Sequence, residues 1–318
     1  MTVAELNTPI KSSTNVAFRN ILVATDFSEP SRRAFLEALT LATENNAQLS
    51  VIHVLPPDRT KATFDNPHEL DLEYLAAEKQ IKVLLDELKP QQEIGALVKH
   101  GHVALQVLSL IEEKAIDLLV IGTRGRGGVR KLALGSVADE LLRVAPCAVM
   151  TIGPQVKAAA CTGGTGFHTI LFATDFGKGS AKALPITLAL ARAQQAQLIL
   201  LHMISPIPSS SASLSAYAPA TAAAEKVEQY EGTSRKRALQ QLKECLPAET
   251  GLAQEPKYVV GTDFLTEGIL AASAKFNVDL IVMGANRAAS AKVAAHIPWA
   301  SVHEVVRNAP CPVLTVVG

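Results

Sequence analysis

The stretch Asp117-Leu-Leu-Val-Ile-Gly122-Thr-Arg-Gly125-Arg-Gly-Gly-Val-Arg-Lys-Leu-Ala-Leu-Gly135-Ser136 decides the fold. An apolar run too short for a helix ends in a glycine-rich loop, and a helix-forming segment starts behind it. Such a strand, loop and helix form one β-α unit. Glycines let the backbone approach an anion closely and turn successive N–H groups toward it. Gly135-Ser136 falls where the helix begins, so a hydroxyl and unpaired amides stand at its positive dipole end. The strand before, the helix behind and the Gly-x2-Gly-x9-Gly-Ser spacing favour a phosphate cradle over a plain turn. Neither a loop closing in Gly-Lys-Ser/Thr nor a Gly-x-Gly-x-x-Gly at the first helix is present.

Working outward, the two halves of the chain match in order along their length. Ile21-Leu-Val-Ala-Thr-Asp26-Phe-Ser recurs as Ile170-Leu-Phe-Ala-Thr-Asp175-Phe-Gly, and Leu49-Ser-Val-Ile-His53-Val as Leu198-Ile-Leu-Leu-His202-Met. Asp117-Leu-Leu-Val-Ile-Gly122 recurs as Asp279-Leu-Ile-Val-Met-Gly284, and Ala145-Pro-Cys147-Ala-Val-Met-Thr as Ala309-Pro-Cys311-Pro-Val-Leu-Thr. This is a duplicated domain, expected over 1–155 and 168–318, with a linker of Ala, Gly and Thr over 156–167.

In each half, short Val/Ile/Leu runs alternate with longer amphipathic stretches, the pattern of βαβ units and a parallel sheet buried on both faces. Strands are expected near 20–25, 48–54, 94–99, 117–122 and 147–152, and again near 169–174, 197–203, 256–260, 279–284 and 312–317. Helices are expected over 30–45, 69–89, 102–115 and 135–144. Right-handed crossovers make each half a doubly wound α/β unit, five parallel strands ordered 3-2-1-4-5 with helices on both faces. Ligands of such sheets bind beyond the carboxyl ends of the strands at the switch point, here between strands 1 and 4. Asp26 ends one and Gly122 the other, so both face one crevice.

Composition limits the alternatives. Of 318 residues 48% are hydrophobic, and 30 Lys+Arg balance 30 Asp+Glu, so no global field draws the chain to nucleic acid or to an anionic membrane. Apolar runs such as 118–122 and 198–201 are far too short to cross a bilayer, and the polar stretch 1–15 lacks the apolar centre of a secretion signal. A cytoplasmic location is expected. Cys147, Cys161, Cys245 and Cys311 have no zinc spacing, and Cys147 and Cys311 open apolar strands as small buried hydrophobes.

Across nearly the whole chain, in two copies, these motifs resemble the universal stress protein family, and the spacing of the first copy resembles that family's ATP-binding signature. The resemblance implies nucleotide contacts at Ala24, Asp26, Val54, Ile121, Gly122, Gly125, Gly135, Ser136 and Val137. Arg124 joins them as one of four cations, with Arg126, Arg130 and Lys131, that would draw a polyanion into the crevice. Asp26 would accept from ribose or adenine, or help hold a phosphate-bound Mg²⁺. Capping the next helix is its other reading. A bulky residue at Gly122 or Gly135 is expected to abolish ATP binding without unfolding the protein. His53 and His202, inside apolar strands, read as structural.

The second copy departs from the pattern. Arg287 stands for Gly125 and Trp299-Ala300 for Gly135-Ser136, so it is expected not to bind ATP by the family mode, with anion contact by Asn286 and Arg287 the counter-reading. The insertion 206–219 reads as a loop beyond its second strand. The resemblance also implies an intramolecular pseudo-dimer pairing the strands at 147–152 and 312–317, with homodimerisation of whole chains and the protein partner left open. The expected function is a nucleotide-responsive stress regulator. A slow ATPase, a phosphoryl- or adenylyl-transferring enzyme and an interaction module without nucleotide stand as alternatives, since no Ser-His-Asp set, paired carboxylates or redox cysteines can be assembled.

Overall fold

The computed structural model describes residues 17–57, 67–88, 90, 92–123, 134–156, 166–204, 220–285, 297 and 299–318. The chain forms two compact units. One holds the described residues up to Gly166 together with Val306–Val317, and the other holds Phe167–Val305 with Gly318.

In the first unit the order is β1 (Asn20–Ala24), α1 (Glu29–Asn45), β2 (Gln48–Leu55), α2 (Pro67–Leu88), β3 (Ile94–His100), α3 (Val103–Glu113), β4 (Leu118–Gly122), α4 (Ser136–Val144) and β5 (Ala148–Ile152). The strands lie in the order β3-β2-β1-β4-β5, all parallel, as expected. Ile21, Leu22, Val23, Leu118, Leu119 and Val120 are fully buried, because helices cover both faces of a parallel sheet. On α1, Ala34, Phe35, Ala38, Leu41 and Ala42 make the inward stripe, and Asn46 closes the helix at φ 50°.

The second unit repeats this with β6 (Thr169–Ala173), α5 (Lys178–Ala193), β7 (Gln197–Met203), α6 (Ala220–Glu244), β8 (Lys257–Gly261), α7 (Leu265–Lys275), β9 (Leu280–Ala285) and α8 (Trp299–Asn308). Its parallel strands run β9-β6-β7-β8. The last strand of the duplication, β10 (Val313–Val317), lies in the first unit beside β5 and antiparallel to it, with Val313 opposite Thr151 and Thr315 opposite Val149. This is the pairing expected from 147–152 and 312–317, and it satisfies a strand edge that would otherwise stay open. The 206–219 insertion and the 157–165 part of the linker lie outside the described residues.

Candidate functional site

The switch point of the first unit is built from two turns. β1 ends at Ala24, in register with Ile52 on β2 and Ile121 on β4. The chain then turns through Asp26-Phe27-Ser28, with Phe27 at φ 63°, a conformation costly for any residue with a side chain. Local bonds hold it there. Thr25 Oγ1 accepts from Phe27 N at 3.0 Å, and Asp26 Oδ1 accepts from Ser28 N at 3.0 Å and from Ser28 Oγ at 2.5 Å. Ser28 is the N-cap of α1 and its oxygen accepts from Ser31 N at 3.4 Å. Asp26 thus organises the turn that places the cap. Ser28→Ala is expected to cost about 1 kcal/mol of stability, measured as a lower urea midpoint at unchanged slope.

The turn also explains the repeated histidine. His53 Nδ1 lies 2.7 Å from Thr25 O, and because a carbonyl only accepts, that nitrogen carries the proton. The Phe27 ring packs on the imidazole with centroids 4.5 Å apart. The second unit reproduces each part, with Phe176 at φ 58°, its ring 4.5 Å from His202, and His202 Nδ1 2.8 Å from Thr174 O. Burial lowers the His202 pKa, consistent with a neutral structural imidazole. The clasp between Phe27 and His53 is the part sequence reading missed. Its signal was there in the recurrence of Thr-Asp-Phe together with a strand histidine.

The second turn follows β4. Thr123 N donates to Ile152 O at 3.1 Å and Gly135 N donates to Thr123 O at 2.9 Å, bringing the start of α4 back to the end of β4. Gly135 caps α4 with φ −64° and ψ 143° and offers no side-chain cap, while its carbonyl accepts from Asp139 N at 2.9 Å. Ser136 and Val137 therefore begin the first helical turn, where amides have no preceding carbonyl within the helix. The Gly135 amide, in contrast, is already used by Thr123.

Of the expected site residues, Ala24 and Ile121 are neighbours across the sheet, Gly122 touches the first turn of α1, and Gly135 touches Thr123. Val54 lies on β2 two residues beyond the partner of Ala24. Val54 and Ile121 are buried and Ser136 is exposed. Arg124 and Gly125, with Arg126, Arg130 and Lys131, lie outside the described residues.

Gly122 corrects one expectation. A Cβ there would stand 2.8 Å from the Pro30 carbonyl carbon and 2.9 Å from Ser31 N, so a bulky residue disturbs the packing of α1 on β4 as well as the crevice. Gly135 is different. Among the described residues a Cβ there meets only Thr123 O, at 3.4 Å, and the backbone lies in a region open to any residue.

In the second unit the corresponding aspartate is committed to its own chain. Asp175 Oδ1 accepts from Gly177 N at 2.8 Å and Ser180 Oγ at 2.6 Å, and Oδ2 accepts from the buried Ile297 N at 2.9 Å. Trp299 opens α8 and packs edge-on against His303, with ring centroids 5.7 Å apart. Asn286 and Arg287 lie outside the described residues.

Among the described residues, burial holds the thiols protonated. Burial pushes the thiol of Cys147 up to about 12 and that of Cys245 up to about 11, and Cys311 is buried. Among the described residues, no three His, Cys, Asp or Glu side chains gather to hold a metal, and no helix is long and apolar enough to cross a membrane.

Comparison with known proteins agrees with this architecture. Over 145 residues the chain is 34% identical to universal stress protein A homolog 1 of Coxiella burnetii, covering 42% of this chain and 96% of that protein. It is 29% identical over 146 residues to universal stress protein YxiE of Bacillus subtilis, covering 42% and 99%. Among solved structures, a universal stress protein from Archaeoglobus fulgidus shares the fold over 93% of this chain and 97% of its own, with a TM-score of 0.63 at 19% identity. The model of the universal stress protein family matches residues 17–153 and again 166–317. The chain belongs to the universal stress protein family, and carries its domain twice in tandem.

Proposed function

We propose that the first unit binds an adenine nucleotide, ATP with its Mg²⁺, beyond the ends of β1 and β4, and that the protein is a nucleotide-responsive regulator of stress survival. The observation carrying this reading is the start of α4. A helix N-terminus without a side-chain cap stands at the topological switch point, behind the Gly-x2-Gly-x9-Gly-Ser loop. Ser136 and Val137 would offer amides and a hydroxyl to phosphate, with Gly122, Arg124 and Gly125 in the same loop. Ala24, Val54 and Ile121 would wall the base, and Asp26 would face the ribose or the phosphate-bound Mg²⁺. That ion would supply charge neutralisation of the phosphates.

The second unit is silent in this reading, because Asp175 is satisfied by Ile297, Ser180 and Gly177. Hydrolysis, if any, is slow. A cytoplasmic location goes with this role.

Titration calorimetry with Mg·ATP on nucleotide-stripped protein is expected to give one ATP per chain. Zero would refute the reading, and two would refute the silence of the second unit. Gly135→Val, whose branched side chain would stand before the Ser136 and Val137 amides, is expected to weaken binding by about tenfold or more while leaving the unfolding transition in place. Undiminished affinity in that variant would remove Gly135-Ser136 from the site.

A further inference from the structure

A pocket of about 440 Å³ opens in the first unit beside the turn that follows β1. Thr25 and Phe27 form one wall, and none of the described residues assigned to nucleotide contact lines it. Thr25 follows the end of β1 at Ala24, and its hydroxyl is held within the turn, 3.0 Å from Phe27 N and 3.1 Å from Ser31 Oγ. The pocket lies between this turn and α2.

Helix α2 explains why the space stays open. It buries Ala77, Ile81 and Leu84, while Ala76 and Val83, beside that stripe, face the pocket from positions left exposed. Val83 is 48% exposed, and Leu72, one turn before Ala76 on the same face, is 65% exposed. At 1.5 Å per residue the path from Glu87 to Leu72 is about 22 Å long. Opposite it the Phe27 ring is fixed by its strained turn and by His53, so that wall is preformed.

The charges select the occupant. Arg32 Nη1 pairs with Glu87 Oε2 at 2.7 Å, and Lys79 has no ion-pair partner among the described residues. Among the described lining residues, two cations against one carboxylate leave one positive charge on a mainly apolar pocket. We propose that this pocket binds an elongated apolar monoanion, a hydrocarbon chain or ring system ending in a carboxylate. Its body lies against Phe27, Val83 and Leu84 and its head meets Lys79 and Arg32. The volume lies within the range of small-molecule sites, and burial of the apolar body supplies the driving force. This is separate from the nucleotide reading and survives its failure.

The test uses the full chain and a dansyl-labelled undecanoate, followed by fluorescence. One probe per chain is expected, displaced by decanoate and neither by decylamine nor by Mg·ATP. Val83→Glu and Lys79→Glu, both on an exposed helix face, are each expected to weaken the probe about tenfold while thermal unfolding stays in place. Absence of saturable binding would overturn the proposal, as would equal affinity in both variants. Displacement by Mg·ATP would place the probe in the crevice and overturn it too. Competition by decylamine as strong as by decanoate would refute the selection by charge. A dimer that blocks the probe and is broken by Val83→Glu would give the face to a second copy of the chain instead.

Discussion

Gly284→Ala is expected to destabilise the second unit by about 3 kcal/mol, and Gly122→Ala the first by about 2 kcal/mol, as overpacking of a tight contact. A Cβ at position 284 would lie 2.1 Å from Ser180 N and 2.2 Å from the Gly179 carbonyl carbon, which no side-chain adjustment relieves because both are backbone. At position 122 the corresponding distances, to Pro30 C and Ser31 N, are 2.8 and 2.9 Å, so the smaller loss is expected there. Gly122 is the last residue of β4 and Gly284 the last but one of β9, where the first helix of each repeat packs on the strand, and the absent side chain lets helix and strand approach. Thermal or urea unfolding of each variant measures the effect, with each unit's transition followed by itself, since a two-unit chain need not unfold in one step. Gly135→Ala is the control, because among the described residues its Cβ meets only Thr123 O, at 3.4 Å, and a change below about 0.5 kcal/mol is expected. Equal stability of Gly284→Ala and the parent would show that α5 can retreat from β9 at no cost.

Glu37→Gln is expected to raise stability at pH 8 by several kcal/mol and to flatten the pH dependence between 5 and 9. Glu37 lies on α1 and is only 5% exposed. Burial, with a smaller contribution from the Glu44 carboxylate, pushes its pKa from 4.5 to about 8. The folded state therefore keeps a proton that the unfolded chain loses above about 4.5. The stability associated with the protonated form is whole below that pH, falls as pH rises, and is gone once pH passes the folded value near 8. At about 1.4 kcal/mol per unit the total is on the order of 5 kcal/mol. Glutamine keeps the shape and hydrogen-bonding capacity and has no proton to lose. Unfolding midpoints of parent and variant are to be compared from pH 5 to pH 9, and parallel profiles would falsify the assignment of the pH dependence to Glu37.

Much of the site was readable in advance because its parts are local. Thr-Asp-Phe-Ser before a Pro-initiated helix is capping chemistry, and Ser28 caps α1 as such a pattern requires. Gly135-Ser136 was legible for the same reason, since a helix start is set by its own few residues. Asp26 and Asp175, identical by sequence, differ in partners. Asp26 Oδ1 binds within its own turn, whereas Asp175 Oδ2 reaches Ile297, 122 residues away. No local pattern encodes such a bond.

By itself the sequence determined the duplication, the βαβ alternation and the strand order 3-2-1-4-5 of the first repeat. Periodicity, turn chemistry and crossover handedness are short-range rules, and the two copies check each other. Only the tertiary structure decided that Gly122 and Gly284 exist for helix-on-strand contact, that the Gly135 amide is spent on Thr123, and that Glu37 is buried. It alone opened a pocket between Phe27 and α2. Each of these depends on which surfaces from distant segments meet and how closely, and that is set by packing in three dimensions rather than by the residues next door.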